Sequence, residues 1–228
     1  MLFAMAIFPY ARSVAAAMVA IGIAGQLAFA MYRGAGLWRG THTLAATTPV
    51  VYLPTVAAAF VSTSALAIFG LRDYALLFLG MGMLSWMSLE GAILLRLRVE
   101  KALAPAVRGI IGIQLAPPFV GCGAYFAVNG GAVDIFALML MGYGILQALF
   151  LARLLPWLLE EGFFMSFWGF SFGLAAMTGC GLHLLATNTT PALGMAFVII
   201  GSALFLVLVI ATLDVIRRGK FFIKKQNS

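Results

Sequence analysis

The hydrophobic positions of this chain fall into seven long runs that are separated by short polar segments. Each run has about the 20 residues that an α-helix needs to cross the hydrocarbon core of a bilayer. The runs are continuous and do not alternate with a period of two, so they predict helices and not the strands of a barrel. The predicted spans are Arg12–Tyr32, Pro49–Phe69, Tyr74–Leu95, Val107–Val128, Ile135–Leu158, Phe163–Ala186 and Ala192–Val215.

The overall composition places the whole chain in a membrane. Of the 228 residues, 64% are hydrophobic and 9% are charged, whereas about 25% of residues are charged in a typical soluble domain. The loops are short, and the spans leave no room for a soluble domain. The sequence therefore predicts an all-α polytopic membrane protein, with one transmembrane domain over residues 1–228 and the lipid bilayer as its surroundings.

The basic residues are distributed unevenly between the two sides that seven crossings define. Arg12 and Arg72 fall on one side, and the other Lys and Arg, including those from Arg217 to Lys225, fall on the opposite side. Cytoplasmic loops carry the excess of Lys and Arg, so we predict an external N-terminus and a cytoplasmic C-terminus. The net charge of +7 reflects this topology and contact with anionic headgroups, and we expect no nucleic-acid partner.

Proline and glycine are concentrated in alternate spans. An interior proline removes a backbone hydrogen bond, and in lipid the released carbonyl is tolerated only where it faces protein or a water-filled cavity. We therefore expect the second, fourth and sixth spans to form an inner layer, although glycine and proline are in any case frequent in transmembrane helices. The breakers in these three spans are Pro54, Pro117, Pro118, Gly169, Gly173 and Gly179.

Few polar side chains interrupt the spans, and each is a candidate for function because polar groups in lipid are costly. Glu90, in the cytoplasmic half of the third span, is the one carboxylate in a predicted helix interior. Three roles are open to it: a proton site, an acceptor in helix packing, or one half of an ion pair. We expect Gln26, Gln114 and Gln147 to form hydrogen bonds between helices, and His183 to lie at the interface.

The sequence offers no catalytic or metal-binding cluster. His42 and His183 fall on opposite sides, and no HExxH pair, paired carboxylates or nucleophile elbow occurs. Cys122 and Cys180 lie inside spans and are expected to pack as small apolar residues. We therefore predict no enzyme, metal site or cofactor. A permeation path without charged groups suits an anion better than a cation, because the basic cytoplasmic loops give the entrance a positive potential.

Several ordered segments of the chain closely resemble the TehA-type tellurite-resistance/dicarboxylate transporter family, which also includes plant slow anion channels and malate and sulfite carriers. The similarity extends from about Gln26 to the last span. The segments are Gly36-Leu-Trp-Arg-Gly40, Thr47-Thr-Pro-Val-Val-Tyr-Leu-Pro-Thr-Val-Ala57, Ser85-Trp-Met-Ser-Leu-Glu90, Gly112-Ile-Gln-Leu-Ala-Pro117, Val128-Asn-Gly-Gly131, Gly142-Tyr-Gly-Ile-Leu-Gln147, Arg153-Leu-Leu-Pro-Trp157 and Ser166-Phe-Trp-Gly-Phe-Ser-Phe-Gly173.

This resemblance implies a pore fold of ten helices in five hairpins, assembled as a homotrimer in the cell inner (plasma) membrane. In the family the odd-numbered helices line the pore, and a phenylalanine of the ninth helix plugs it. By this correspondence Phe172 is the pore gate, Pro54, Pro117 and Gly173 belong to kinks or the pore lining, and Gly173 leaves space for the ring of Phe172. Without the family, packing would be the favoured role for Phe172.

The chain departs from the family pattern in two places. Its seven spans correspond to family helices four to ten, so we expect the first three helices to be absent, as the odd count and external N-terminus also indicate. In addition, Gly91 follows Glu90 where the family usually has proline.

The resemblance therefore implies a passive channel for small inorganic or organic anions, gated by Phe172. Two alternatives remain, one that is also a transporter and one that does not transport. A proton-coupled C4-dicarboxylate or sulfite carrier would use Glu90 as its titratable group, and a truncated remnant would fold without conducting.

Overall fold

The computed structural model describes residues 1–219, which form one short helix and seven long ones. The seven long helices are apolar enough to cross a membrane, which confirms the predicted fold class. Part of the basic C-terminal tail, including Lys220, Lys224 and Lys225, lies outside the described residues. The helices are α1 Leu2–Ile7, α2 Arg12–Leu37, α3 Pro49–Ala67, α4 Arg72–Val99, α5 Pro105–Val128, α6 Ile135–Leu158, α7 Met165–Ala186 and α8 Pro191–Arg217.

Several helices extend beyond the predicted apolar runs. A helix ends where a residue such as glycine interrupts its backbone, and this residue need not lie where the hydrophobic run ends. Helix α2 continues from the predicted end at Tyr32 to Leu37, shortly before Gly40, which has φ +72°. Gly70, with φ +77°, lies between α3 and α4. Glycine adopts this left-handed backbone without the steric cost that a Cβ imposes, so these positions allow the chain to reverse.

The short helix α1 packs against the predicted outer ends of α2 and α3. The hydroxyl of Ser62 lies 3.2 Å from the sulfur of Met1, and the rings of Phe8 and Phe69 meet edge to face, with centroids 4.8 Å apart. Small side chains allow this close approach. The buried residues that form this apolar cluster are Ala4, Ala15, Val19 and Ala65.

Three of the seven spans, α3, α5 and α7, are irregular, whereas α2, α4, α6 and α8 are continuous α-helices. Helix α3 passes from a 3₁₀ turn through a π-helical turn at Leu53–Ala57 into α-helix. Helix α5 is 3₁₀ over Pro105–Leu115, and α7 is 3₁₀ over Met165–Phe170. Long 3₁₀ runs are uncommon because their hydrogen bonds are poorly aligned.

The sequence explains where these helices change type. Pro117 and Pro118 occupy the first turn of the α-helical part of α5. Backbone N–H groups at this position would lack acceptors where the hydrogen-bond pattern changes, and proline has no N–H group. In α7 no proline is present at the change, and the hydroxyl of Ser171 donates to the carbonyl oxygen of Trp168 at 2.7 Å. This carbonyl also accepts from the backbone N–H of Ser171, so the hydroxyl gives it a second hydrogen bond at the point where the helix changes type.

Burial supports the predicted inner layer, with α5 at its centre. In its most apolar stretch, 67% of the residues of α5 are buried, against 44% for α3 and 11% for α2. Helices α6 and α7 have equal buried shares of 33%, so burial alone does not distinguish them. The position of α7 in the inner layer follows instead from its contacts with α5, where Gly109 and Gly112 lie against the backbone of Phe167 and the ring of Phe170.

Polar contacts join the predicted outer ends of the helices. Arg72 donates to the carbonyl oxygen of Val128 at 2.8 Å. Asp134 caps α6 by accepting from the backbone N–H of Ala137 at 3.0 Å, and it accepts from the hydroxyl of Tyr125 at 2.6 Å. These two hydrogen bonds, the Tyr125 contact first, hold the pKa of Asp134 below its usual value. The cap therefore stabilises the fold at neutral pH, and this contribution is lost as the pH falls into the acid range.

The contact between α5 and α7 predicts a strong effect of Gly109→Ala. A Cβ at this position would lie 2.4 Å from the backbone nitrogen of Phe167, and main chain cannot rotate aside. We expect a loss of about 1–3 kcal/mol in unfolding free energy, seen as a thermal midpoint several degrees lower in detergent. Gly123→Ala on the same helix is the control, because no atom lies within 4 Å of its Cβ position. Equal losses in both variants would contradict the close packing.

Candidate functional site

Helices α3, α5 and α7 border a partly open apolar cavity of about 230 Å³. All of its lining residues come from these three helices, so the irregular spans share one concave surface. This arrangement accords with the rule that irregular backbone at membrane depth faces protein or a cavity. The lining residues are Tyr52, Leu53, Val56, Ala57, Phe60, Ile113, Ala116, Pro117, Val120, Trp168, Gly169 and Phe172.

Phe172 lies on the cavity wall, where its half-buried side chain contributes apolar surface. Phe170, two residues earlier, has a different position: its ring lies over Gly112, where a Cβ would be 2.1 Å from the ring, and stacks on Phe167. Of the two neighbouring phenylalanines in α7, Phe170 is therefore fixed in the packing against α5, and Phe172 borders the open space.

The structure places the three residues predicted for kinks or lining at three different locations. Pro117 lines the cavity. Pro54 lies in the π-helical turn of α3 and lines a second groove, of about 480 Å³, between α2, α3 and α4. Gly173 is buried against α5, where a Cβ would lie 2.8 Å from Cβ of Leu115. The position of Pro54 in a helical irregularity is that of a kink residue, and its role stays a prediction. The expectation that Gly173 leaves space for the Phe172 ring is wrong, because α5 occupies the space beside Gly173.

Glu90 is the centre of a hydrogen-bonded cluster that joins three helices. The hydroxyl of Tyr52 on α3 and the indole N–H of Trp86 both donate to Oε2, the latter at 2.9 Å. On α6, the hydroxyl of Tyr143 donates to Oε1 at 2.5 Å, and the amide of Gln147 lies 3.3 Å from the same oxygen. Four donors converge on one carboxylate, so Glu90 acts as an acceptor in helix packing.

The three glutamines predicted to join helices behave differently. Gln26 accepts from the hydroxyl of Ser62 on α3, and Gln147 takes part in the Glu90 cluster, as expected. Gln114 is only 3% exposed, yet neither its amide nitrogen nor its oxygen has a hydrogen-bond partner among the described residues. A buried carboxamide without a partner is rare in folded proteins.

Arginines at the predicted cytoplasmic end join neighbouring segments. Arg96 is 5% exposed, and its Nε donates to the carbonyl oxygen of Ala45 in the loop before α3, at 3.3 Å. Arg108 forms an ion pair of 3.0 Å with Glu160, and its guanidinium lies 4.5 Å from the ring of Trp157. Part of the basic surface at this end is thus used to connect α4 with the α2–α3 loop and α5 with α6.

Histidine and cysteine have structural positions. His183 lies 2.8 Å from the carbonyl oxygen of Gly131 and stacks on Phe126, so it joins the end of α7 to the loop after α5. Cys122 and Cys180 are buried and not joined in a disulfide. Their thiol groups lie near the carbonyl oxygens of Ala137 and Phe119 at 3.7 and 3.5 Å.

The sequence analysis identified Glu90 but missed most of its partners. Tyr52, Trp86 and Tyr143 were counted among the apolar residues of their spans. One signal was available, because Trp86 and Glu90, like Tyr143 and Gln147, are four residues apart and therefore lie on one face of a helix. Sequence separation does not indicate which faces of different helices meet. The contact of Tyr52 and Tyr143 with Glu90 could therefore not be predicted from the sequence.

The fold and cavity define a helical membrane protein in which irregular inner helices border an apolar cavity. The chain belongs to the family described as SLAC1, voltage-dependent anion channel, whose model matches residues 1–215. It is 39% identical over 212 residues to the tellurite resistance protein TehA homolog of Haemophilus influenzae. This match covers 92% of the chain and 64% of the relative. The resemblance seen in the sequence segments is therefore confirmed, and the chain spans less than two thirds of that relative.

The cluster predicts that Glu90→Ala destabilises the protein more than Glu90→Gln does. Alanine leaves the donors of Tyr52, Trp86 and Tyr143 without an acceptor, at about 1–3 kcal/mol for each buried group, whereas glutamine retains one carbonyl oxygen. Thermal unfolding in detergent measures the difference. The exposed Glu161→Gln serves as the control for loss of a surface charge. A Glu90→Ala midpoint equal to that of Glu161→Gln would contradict the packing role.

Proposed function

We propose that this chain forms the conducting part of a passive channel for small inorganic or organic anions, in which the cavity between α3, α5 and α7 belongs to the permeation path. The observation that carries the proposal is the cavity itself, which is bordered by the three irregular helices of a chain that belongs to an anion channel family. Conduction requires sites that bind an ion only weakly, and an apolar wall with few polar groups meets this requirement.

Phe172 is the gate in this proposal. Its ring borders the cavity and is not part of the contact that fixes Phe170 over Gly112. An aromatic ring at a narrow apolar position opposes an ion in two ways, because it takes up space and because it excludes the water that would hydrate the ion. The proposal extends to a homotrimer in the inner (plasma) membrane, with the N-terminus external and the C-terminus cytoplasmic, as the charge distribution predicts.

A proton-coupled carrier is the second candidate, and the position of Glu90 favours it. The carboxylate is linked by one hydrogen bond to Tyr52, which lines the cavity. A carrier of this kind requires a titratable group beside its substrate path, and Glu90 satisfies that condition. The dependence of flux on a pH gradient separates the two candidates, since only the carrier couples uphill anion movement to proton flow.

Replacement of the gate residue tests the channel directly. Phe172→Ala removes the ring from the cavity wall, so we expect anion flux in proteoliposomes to rise by roughly tenfold, which corresponds to about 1.4 kcal/mol of barrier. Flux is measured with chloride and nitrate on samples of equal protein content.

Phe150→Ala is the matched control, because Phe150 lies on α6 and is 53% exposed on the outer surface of the fold. Equal flux in the wild type, Phe172→Ala and Phe150→Ala would contradict the gate. Absence of flux in all three folded proteins would favour the non-conducting alternative.

A further inference from the structure

The second groove, of about 480 Å³ between α2, α3 and α4, is a separate space from the apolar cavity. Among the described residues, Leu53 alone lines both. The walls of the groove include the C-terminal part of α2 and the loop that follows it, at the predicted cytoplasmic end. The most apolar stretch of α2 is only 11% buried, so this wall lies at the outer surface of the fold, where bilayer lipid can reach it.

The part of the groove toward the bilayer interior is apolar. Phe29 from α2, Leu53 from α3 and Leu89 from α4 each contribute a side chain to it. Phe29 is 53% exposed and Leu53 is 49% exposed. Along α2, Phe29 comes roughly 6 Å before Arg33, at the rise of an α-helix, so it lies farther from the predicted cytoplasmic end. This part of the groove offers contact to an acyl chain from three helices.

The opposite end of the groove is polar and basic. Arg33 and Trp38 come from the end of α2, and His42 comes from the loop after it. Trp38 is 91% exposed, and tryptophan is enriched at the interface between membrane and water, which places this end at the level of the lipid headgroups. The groove therefore changes from apolar to basic in the direction in which a lipid changes from acyl chain to headgroup.

The positive charge at this end has no acidic counterpart in the groove. Arg33 forms no ion pair with any residue in the part of the chain that the structure describes, and none of the described residues that line the groove is Asp or Glu. The ring of His42 is held beside it, with Nε2 2.9 Å from the hydroxyl oxygen of Thr47. The cytoplasmic leaflet carries anionic lipids, and basic pockets between transmembrane helices bind their headgroups.

We propose that the groove between α2, α3 and α4 binds one anionic phospholipid of the cytoplasmic leaflet. Its phosphate accepts hydrogen bonds from the guanidinium of Arg33, whose planar N–H groups match phosphate oxygens. One acyl chain lies along Phe29, Leu53 and Leu89. The inference does not rest on the proposed conduction, because it concerns a different surface of the molecule.

Native mass spectrometry of the purified full chain in detergent tests the site by counting bound lipids. Phosphatidylglycerol and phosphatidylcholine with the same acyl chains are added separately. We expect one tightly bound phosphatidylglycerol per chain and about fivefold weaker binding of phosphatidylcholine, as one basic residue near the surface provides. Equal binding of the two lipids would overturn the inference.

Glycerol 3-phosphate distinguishes a lipid from a free anion, because it carries a phosphate without acyl chains. We expect it to leave phosphatidylglycerol bound when both are present at equal concentration. Displacement of the lipid under this condition would identify a site for a free anion and contradict the proposed lipid site.

Removal of the basic group tests the headgroup contact. Arg33→Gln takes the charge out of the groove, so we expect phosphatidylglycerol to bind about fivefold more weakly and no better than phosphatidylcholine. Arg98→Gln is the matched control, because Arg98 is an exposed arginine at the same predicted end of α4 and does not line the groove. An equal loss in both variants would indicate a general effect of surface charge and refute the site.

Two glycine variants test the groove by filling it. No atom lies within 4 Å of a Cβ built at Gly34 or at Gly36, but only Gly34 lines the groove. We expect Gly34→Phe to lose the tightly bound phosphatidylglycerol and Gly36→Phe to retain it. Retention of the lipid in Gly34→Phe would overturn the inference. So would a change in the number of chains per particle in Gly34→Phe without loss of lipid, because the groove would then be a contact between copies.

Discussion

The structure depends on one constraint, which is that every backbone polar group in a bilayer must find its partner within the protein. Four spans meet it as continuous α-helices and can therefore face lipid. Helices α3, α5 and α7 contain 3₁₀ or π-helical turns, so their less regular hydrogen bonds require shelter. Their position around a common cavity satisfies this requirement, and it places the irregular backbone along the proposed path of the ion.

The Glu90 cluster imposes a second constraint on the same helices. A carboxylate in the membrane is costly unless donors surround it, and the donors here come from α3, α4 and α6. Because Tyr52 also lines the cavity, the arrangement that stabilises Glu90 fixes the orientation of a cavity residue. The packing of an outer helix is thereby connected to the inner surface through a single hydrogen bond.

The seven helices and the inner layer could be predicted from the sequence because both follow from local patterns: apolar length for the spans, and proline or glycine for the irregular ones. The side-chain arrangement could not. Gly173 was expected to leave space beside Phe172, but it faces Leu115. A glycine in a helix indicates that another group packs closely there, but the sequence does not indicate which group. Tyr52 appeared apolar in its run, and only the fold reveals that its hydroxyl meets Glu90.

Close packing on both sides of Phe172 limits how the proposed gate can open. At Gly169, a Cβ would lie 2.9 Å from the carbonyl oxygen of Gly109, and at Gly173 it would lie 3.0 Å from the backbone nitrogen of Ala116. The backbone of α7 is thus in contact with α5 before and after Phe172. A shift of this segment would have to separate two closely packed main chains, whereas rotation about the side-chain torsions of Phe172 breaks neither contact. Rotation of the ring is therefore the lower-cost movement by which the cavity can widen.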